Sequence, residues 1–222
     1  MTIRVLVVDD QAVVRAGVGM LLKAAGDFEV VGEAANGHEA IRAAERLRPD
    51  VVLMDLRMPR TDGIEATRRI VDANPAARVL VLTTFADDAD IYGALGAGAI
   101  GYLVKDGAPD DMIDAVRRAA RGESLLAPKV LSRVMARALE SHSASAEPVT
   151  HQLTARETDV LALVGAGLSN AEIGSALHLG VTTVKTHVSA AMEKLGLRNR
   201  VQAAVMAHRL GLVDDEFRPV HR

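Results

Sequence analysis

The chain contains no cysteine and no tryptophan, and only two Tyr and three Phe among its 222 residues. Without cysteine there can be no disulfide framework and no thiolate zinc site, which fits a cytosolic address. So few rings argue against a surface that binds single strands by stacking bases on aromatic side chains. No apolar run approaches the roughly 18 residues of a membrane-spanning helix. The start, Met1-Thr2-Ile3-Arg4, lacks the charged and apolar regions of a secretion signal. A soluble, cytoplasmic chain with no membrane partner is the expectation. Positive charge is scarce too: 26 Lys and Arg against 29 Asp and Glu leave a net charge of −3, unpromising for a nucleic-acid binder taken as a whole.

What remains is ordinary globular material. At 49% hydrophobic and 25% charged, the chain is too apolar to be disordered. Its length admits one large domain or two small ones at roughly 100 to 200 residues each. Short runs rich in Val, Ile and Leu at 3–8, 29–32, 51–54, 79–82 and 101–104 read as strands. Segments with helical spacing alternate with them at 12–25, 38–47, 63–72, 89–97 and 110–121. Strands this continuously apolar are buried on both faces, so the pattern predicts a flavodoxin-like, doubly wound α/β layer with a five-stranded parallel sheet. Functional groups in such a sheet gather at the carboxyl ends of the strands.

The alternation stops after residue 121. Residues 129–140 have helical composition, and the Ser/Ala-rich stretch 141–148, ending in Pro148, reads as a linker. From Thr154 the sequence is helical throughout. Thr154-x-x-Glu157, Ser169-x-x-Glu172 and Asn199-x-x-Gln202 are capping-box signals that place helix starts near Ala155, Asn170 and Arg200. A fourth helix over 182–195 lies between the last two. The expected organisation is a domain at 1–124, a linker with a helix at 125–149, an all-α four-helix domain at 150–212 and a tail at 213–222.

Asp9 and Asp10 follow the first strand and Asp55 follows the third. With strand order 2-1-3-4-5 these strands are neighbours, so three carboxylates meet, and they repel one another unless a cation joins them. An oxygen-only ligand set with open positions suits Mg²⁺. Thr83 and Lys105 end the fourth and fifth strands, adding a hydroxyl and an ammonium that can reach the same phosphoryl group. Any one of these aspartates could be a simple helix cap; five suitable residues at four strand ends argue for a site. Asp-Asp-Gln after the first strand, in place of a Gly-rich turn, opposes dinucleotide binding, because carboxylates there would repel a pyrophosphate.

Asp9-Asp10, Asp55-Leu56-Arg57-Met58-Pro59 with Asp62-Gly63, Leu82-Thr83-Thr84-Phe85, and Gly101-Tyr102-Leu103-Val104-Lys105-Asp106 resemble a two-component response-regulator receiver domain. The resemblance implies that Asp55 is phosphorylated by a phosphohistidine of a partner histidine kinase. Asp10, Asp55 and the Arg57 backbone carbonyl would be direct Mg²⁺ ligands, with Asp9 acting largely through water. Thr83 and Lys105 would hold the phosphoryl oxygens, and Thr83 with Tyr102 would form the switch pair. Asp106 departs from the commonest pattern, in which Pro follows the lysine. Tyr102 has a plainer alternative as a half-buried strand aromatic.

In the predicted helix over 182–195, Val184, Val188, Ala191 and Leu195 recur as a core-facing stripe. Thr182, Lys185, Thr186 and Ser189 share the opposite side, flanked by Thr183, His187 and Lys194. A Thr/Ser/Lys face suits the DNA major groove, and the turn His178-Leu179-Gly180 before it has helix-turn-helix length. Periodicity alone also allows a generic four-helix bundle. Leu153-Thr154-x-Arg156-Glu157, Gly167-Leu168-Ser169-Asn170-x-Glu172-Ile173, Thr183-Val184-Lys185-Thr186-His187-Val188 and Lys194-Leu195-Gly196 closely resemble the LuxR-type helix-turn-helix.

With the receiver, the whole chain resembles a response regulator of the NarL/FixJ group. That implies base contacts from Lys185, Thr186 and Ser189, and phosphate contacts from Thr182, Thr183, His187 and Lys194. Gly180 departs from the Ser carried by many members, a change that costs a helix cap only a few tenths of a kcal/mol. The last helix, with Val201 and Val205, would close the small core and, by the resemblance, add a dimer contact.

The expected function is a non-enzymatic, phosphorylation-controlled transcription regulator. It would bind promoter DNA as a homodimer when phosphorylated, with RNA polymerase a further contact open to it. Two rivals stand beside it: a haloacid-type phosphatase, which would want a general acid where Arg57 stands, and a DNA-binding protein whose first domain is a phosphorylation-independent dimerisation module. The charge divides accordingly. Residues 1–125 carry −5, while residues 150–212 carry 6 basic against 4 acidic side chains. A mildly basic domain is a weak anchor on DNA, which makes two half-sites useful.

Overall fold

The computed structural model of the protein describes residues 2–59, 62–83, 88–105, 107–123 and 153–213. The linker and helix expected over 125–149, Thr84, Phe85, Asp106 and the tail beyond Val213 lie outside the described residues. The chain divides into two compact units, Met1–Leu125 and Leu126–Arg222.

In the first unit, strands β1 (Ile3–Val8), β2 (Phe28–Ala34), β3 (Val51–Met54), β4 (Arg78–Thr83) and β5 (Gly101–Val104) alternate with helices α1 (Ala12–Ala25), α2 (Gly37–Leu47), α3 (Gly63–Ala73), α4 (Asp88–Ala97) and α5 (Pro109–Ala120). The strands form one parallel sheet in the order β2-β1-β3-β4-β5. The expected doubly wound sheet is therefore the observed one. Expected boundaries of β1, β3, β5 and α1 coincide with the observed ones and the others differ by one or two residues, most at β2, where backbone pairing with β1 carries the strand out to Phe28 and Ala34 beyond the apolar run.

The period of two along the strands explains the three layers. Val5, Val7, Leu53, Leu80 and Leu82 face α1 and α5, packing with Val18, Leu22, Met112 and Val116. Leu6, Val8, Val52, Met54 and Val79 face α2 and α3, packing with Ala40, Ala43, Ala66 and Ile70. Fully burying each such Leu or Val contributes on the order of 1.5–3 kcal/mol. Helix starts are held locally: Asn36 caps α2 by accepting the Glu39 N–H at 3.0 Å, and Asp62 caps α3 by accepting the Glu65 N–H at 2.8 Å.

The sheet's pairing also sets its carboxyl edge. Val8 lies opposite Met54, and the Asp55 N–H donates to the Val8 carbonyl at 2.9 Å. Thr83 lies opposite Val104, and the Lys105 N–H donates to the Thr83 carbonyl at 2.7 Å. The loop after β3 turns tightly into α3, with the Gly63 N–H donating to Leu56 O at 2.9 Å. A Cβ on Gly63 would stand 2.1 Å from the Asp55 carbonyl oxygen and 2.7 Å from Leu56 Cα.

The second unit consists, among the described residues, of α6 (Ala155–Gly165), α7 (Asn170–Leu177), α8 (Val181–Lys194) and α9 (Arg200–Arg209). The boxes at Thr154/Glu157 and Ser169/Glu172 form in full. At the third start, Asn199 accepts the Gln202 N–H at 2.8 Å, while Gln202 Oε1 accepts the N–H of Arg198, one residue before the cap. Gly180 caps α8 with no side-chain hydrogen bond.

Val160, Leu161, Val164, Ile173, Val184, Ala203, Ala204 and Ala207 make the core. The last helix does close that core, and Val201 is buried. The turn between α7 and α8 folds back on its own helix, with the Leu179 N–H donating to Gly174 O at 2.8 Å. A Cβ on Gly174 would stand 2.7 Å from Leu179 O.

Glu157 ties two helices together. Its buried carboxylate accepts the Thr154 N–H at 2.8 Å and both oxygens meet Lys194 Nζ, at 2.7 and 2.8 Å. The Lys194 hydrogen bond, then the Thr154 N–H, hold its carboxyl at about 2, well below the ordinary 4.5.

Replacing glycine by alanine inside a helix usually stabilises by up to about 1 kcal/mol. At both close approaches the new methyl meets backbone, and overpacking costs roughly 1–3 kcal/mol. Gly63→Ala is expected to accelerate amide hydrogen exchange in the first unit alone, and Gly174→Ala in the second alone. Because the folded Glu157 value lies below the unfolded one, its contribution is complete above about pH 4.5 and is lost as pH falls towards 2. Denaturant midpoints of the second unit, followed from pH 6 to about 2, should therefore fall more steeply in wild type than in Glu157→Gln.

Candidate functional site

The carboxyl edge of the sheet brings Asp9, Asp10, Asp55, Thr83 and Lys105 to one end, as the sequence predicted. Asp9, Asp55 and Thr83 are 1%, 4% and 1% exposed, whereas Asp10 is exposed. Lys105 Nζ lies between two carboxylates, 2.5 Å from Asp9 Oδ2 and 3.1 Å from Asp55 Oδ2. Oxygens from Asp9, Asp10 and Asp55 all lie within 4.8 Å of one another.

Electrostatics follow from that burial. Desolvation pushes the Asp55 carboxyl above its ordinary value and the Asp9 charge adds to it, against the hydrogen bond and charge of Lys105 and the Arg57 N–H. For Lys105, burial alone would lower the value. Its hydrogen bonds to Asp9 and Asp55, with their charges, outweigh burial and hold the ammonium above the ordinary value. Lys105 therefore stays charged and neutralises part of a strongly anionic pocket.

The donor set fits a hard cation. All three groups are carboxylates, which suit Mg²⁺ rather than a metal that prefers nitrogen or sulfur. Asp9 Oδ1 is taken by the Gln11 N–H at 2.9 Å, while its buried Oδ2 is ion-paired to Lys105. Three carboxylates against one ammonium leave the cluster anionic, a state that repels itself without a further positive charge.

Tyr102 is half-buried on β5 and packs beside Leu56, Val81, Ala94 and Ala99. The strand-aromatic description is therefore accurate as to place. The guanidinium of Arg57 donates to Asp90 of α4, at 3.0 and 3.2 Å.

Two contributors, Arg15 and Asp90, have no signal in the sequence, and Gly63 stands there only as part of a motif. Arg15 Nη1 donates to the Asp9 carbonyl at 2.7 Å and its Nε reaches Glu33 at 3.2 Å, fixing the loop after β1. Gly63 lets α3 start against the backbone of Asp55, which the Asp62-Gly63 dipeptide hinted at without giving the distance. Asp90 holds Arg57 from 33 residues away, and nothing local announces it.

On α8, Thr182, Thr183, Lys185, Thr186 and Ser189 are exposed and His187 is half-buried, while Val184 and Ala191 are in the core. The polar face predicted for this helix is therefore a surface. Lys194 differs from the rest: its ammonium is engaged by Glu157. Arg200 likewise turns inward to Asn170 Oδ1, at 2.7 Å, and to the Leu168 carbonyl. Among the described residues no helix is long and apolar enough to cross a membrane.

Comparison with known proteins bears on both units. Residues 5–117 match the family described as response regulator receiver domain, and residues 151–207 match the luxR family of bacterial regulatory proteins. The chain is 45% identical over 213 residues to the response regulator protein VraR of Staphylococcus aureus, covering 96% of this chain and all of that one. Among solved structures, the RcsB response regulator of Salmonella typhimurium is 27% identical with a TM-score of 0.55, covering 93% of this chain and 100% of that one. The signal receiver domain of the response regulator NarL from Mycobacterium tuberculosis is 36% identical with a TM-score of 0.53, covering 55% of this chain and 98% of that one. Matched at both units in the same order, and along nearly its whole length by a relative, the chain belongs to the two-component response regulators that carry a receiver followed by a LuxR-type helix-turn-helix DNA-binding domain.

Proposed function

We propose that Asp55 is the phosphoacceptor of a phosphorylation-controlled transcription regulator, and that its modification governs dimerisation and promoter binding. The observation that carries this reading is the buried Asp55 carboxylate at the end of β3, with Lys105 Nζ at 3.1 Å and two further carboxylates beside it. An Asp55 oxygen attacks the phosphorus of a phosphohistidine in a histidine kinase; the P–N bond breaks and the imidazole leaves. Bound Mg²⁺ would supply charge neutralisation of the transferring oxygens. Asp10, Asp55 and the Arg57 carbonyl would hold it directly, with Asp9 reaching it largely through water.

The chain's own groups do the rest. Lys105 is already at the rim of the carboxylate and becomes the partner of a phosphoryl oxygen once Asp55 carries the acyl phosphate. Thr83, one strand away, offers its hydroxyl to another. A phosphoryl group adds about −1.5 to −2 charge and three acceptors, so drawing in Thr83 frees space for Tyr102 to turn inward. This biases the face made by α4, β5 and α5. A full switch from 1:99 to 99:1 needs about 5.5 kcal/mol of differential stabilisation, which one phosphoryl site together with dimerisation can provide.

The output lies on α8. Lys185, Thr186 and Ser189 read base edges, and Thr182, Thr183 and His187 meet phosphates of double-stranded promoter DNA; their exposure on α8, partial for His187, supports this reading. The regulator acts in the cytoplasm as a homodimer when phosphorylated, and RNA polymerase is a further contact for the DNA-bound form.

Asp55→Asn is expected to abolish incorporation of phosphate from acetyl phosphate with Mg²⁺, read by intact-protein mass spectrometry. Beryllofluoride with Mg²⁺ should raise the dimer fraction of wild type in sedimentation velocity and leave Asp55→Asn unchanged. If wild type does not respond, the first unit is a phosphorylation-independent dimerisation module. Lys185→Ala should weaken DNA binding and reduce the salt dependence of log K by about one counterion, with phosphorylation of Asp55 intact.

A further inference from the structure

Lys194 looks from the sequence like one more cation for the DNA backbone, and the geometry argues otherwise. It is the last residue of α8, about 180° around the helix from Lys185 and about 140° from Ser189 but within about 20° of Thr183 and His187; what sets it apart is its ion pair. Both oxygens of Glu157 accept its ammonium, at 2.7 and 2.8 Å, and the Glu157 side chain is only 7% exposed. The pair joins residues 37 apart: the first turn of α6 and the last turn of α8. A carboxylate at a helix N-terminus and an ammonium at a helix C-terminus each also complement the helix dipole. A buried carboxylate so tightly held does not release its partner to a phosphate without being left unpaired itself.

We propose that Lys194 is a positioning residue: paired with Glu157, it sets the angle at which α8 is presented to DNA and does not contact phosphate. This rests on the reading that α8 enters the major groove. The helix is pinned at two places. At its start, the turn is fixed by the Leu179 N–H on Gly174 O; at its end, Lys194 is fixed to the cap of α6. Fourteen residues span about 21 Å, so a tilt of about 5° about one pin moves the other end by about 2 Å. Base-edge hydrogen bonds do not survive such a shift, whereas attraction to the phosphate backbone hardly notices it. Losing the pair should therefore cost sequence discrimination first.

The test uses the full chain activated with beryllofluoride and Mg²⁺, and a duplex selected by the wild-type protein from a random-sequence pool. A duplex of unrelated sequence serves as the non-specific probe. Lys194→Met keeps the stem without the charge. Glu157→Gln keeps an acceptor for the capping box, which tolerates Gln, without the ion pair. Circular dichroism fixes the folded fraction at the binding temperature. Each variant is expected to raise Kd for the selected duplex by about tenfold, the double variant by no more than either single one. Non-specific affinity and the slope of log K against log salt should stay at wild-type values.

A slope reduced by about one in Lys194→Met, with Glu157→Gln binding normally, would make Lys194 a phosphate contact and overturn the proposal. Wild-type discrimination in both single variants, with only a lowered melting temperature, would reduce the pair to a structural brace and overturn it too. Lys185→Ala serves as the control for the underlying reading. If it changes neither affinity nor slope, α8 is not the DNA-facing helix, and both claims fail for a reason visible in that variant alone.

Discussion

The parallel pairing of β1 with β3 is the constraint from which the first unit follows. Val8 opposite Met54 obliges the next residue on each strand, Asp9 and Asp55, to emerge side by side at the sheet's edge. Buried carboxylates that close would force one of them to hold a proton unless a cation intervenes. Lys105 is that cation, and the same kind of pairing delivers it: β5 lies beside β4, and its backbone N–H is tied to Thr83 O. The site is thus a product of strand order rather than of any local motif. Gly63 belongs to the same constraint, because α3 must begin directly beneath the Asp55 carbonyl for the loop after β3 to stay short.

Features that sequence reveals well here are those fixed by near neighbours. Strand β3 and the 79–82 stretch of β4 are buried, continuous apolar runs, so their type and place are legible, and the strand order then follows from crossover rules. Capping boxes at Thr154 and Ser169 are legible because donor and acceptor are three residues apart. The third start is subtler: Asn199 caps as its type requires, yet Gln202 Oε1 accepts the N–H of Arg198, one residue before the cap. Asp9, Asp55, Thr83 and Lys105 are legible as a set only because each stands at a strand end. Arg15, Asp90 and Glu157 are not, since each works through a partner between 6 and 37 residues away that topology alone brings near.

Charge makes the same point for the second unit. Its 6 basic side chains over residues 150–212 look like a modest reserve for DNA. At least three of the cations have other partners within the fold: Lys194 on Glu157, Arg200 on Asn170 and Leu168, and Arg156 at 3.6 Å from Asp159. The last pair is exposed and weak; the first is not. Counting formal charge overstates the electrostatic footprint because the fold spends part of it on holding helices together.

A small footprint has a mechanistic consequence. Lys185 is the only Lys or Arg in residues 181–193, so a single α8 in the proposed role would gather few phosphate contacts and little counterion release. Binding by one copy would then be weak and loosely discriminating, and two copies on paired half-sites would gain through effective concentration what neither has alone. In that regime the proposed phosphorylation need not alter the DNA-reading helix at all. It is enough that a charge added at Asp55 shifts the association of two chains, because occupancy of a paired site depends on both copies arriving together. A weakly basic DNA-binding unit coupled to an acidic receiver is therefore a coherent arrangement under the proposed function: the acidity that makes the whole chain look unsuited to DNA would serve the step that decides when DNA is bound.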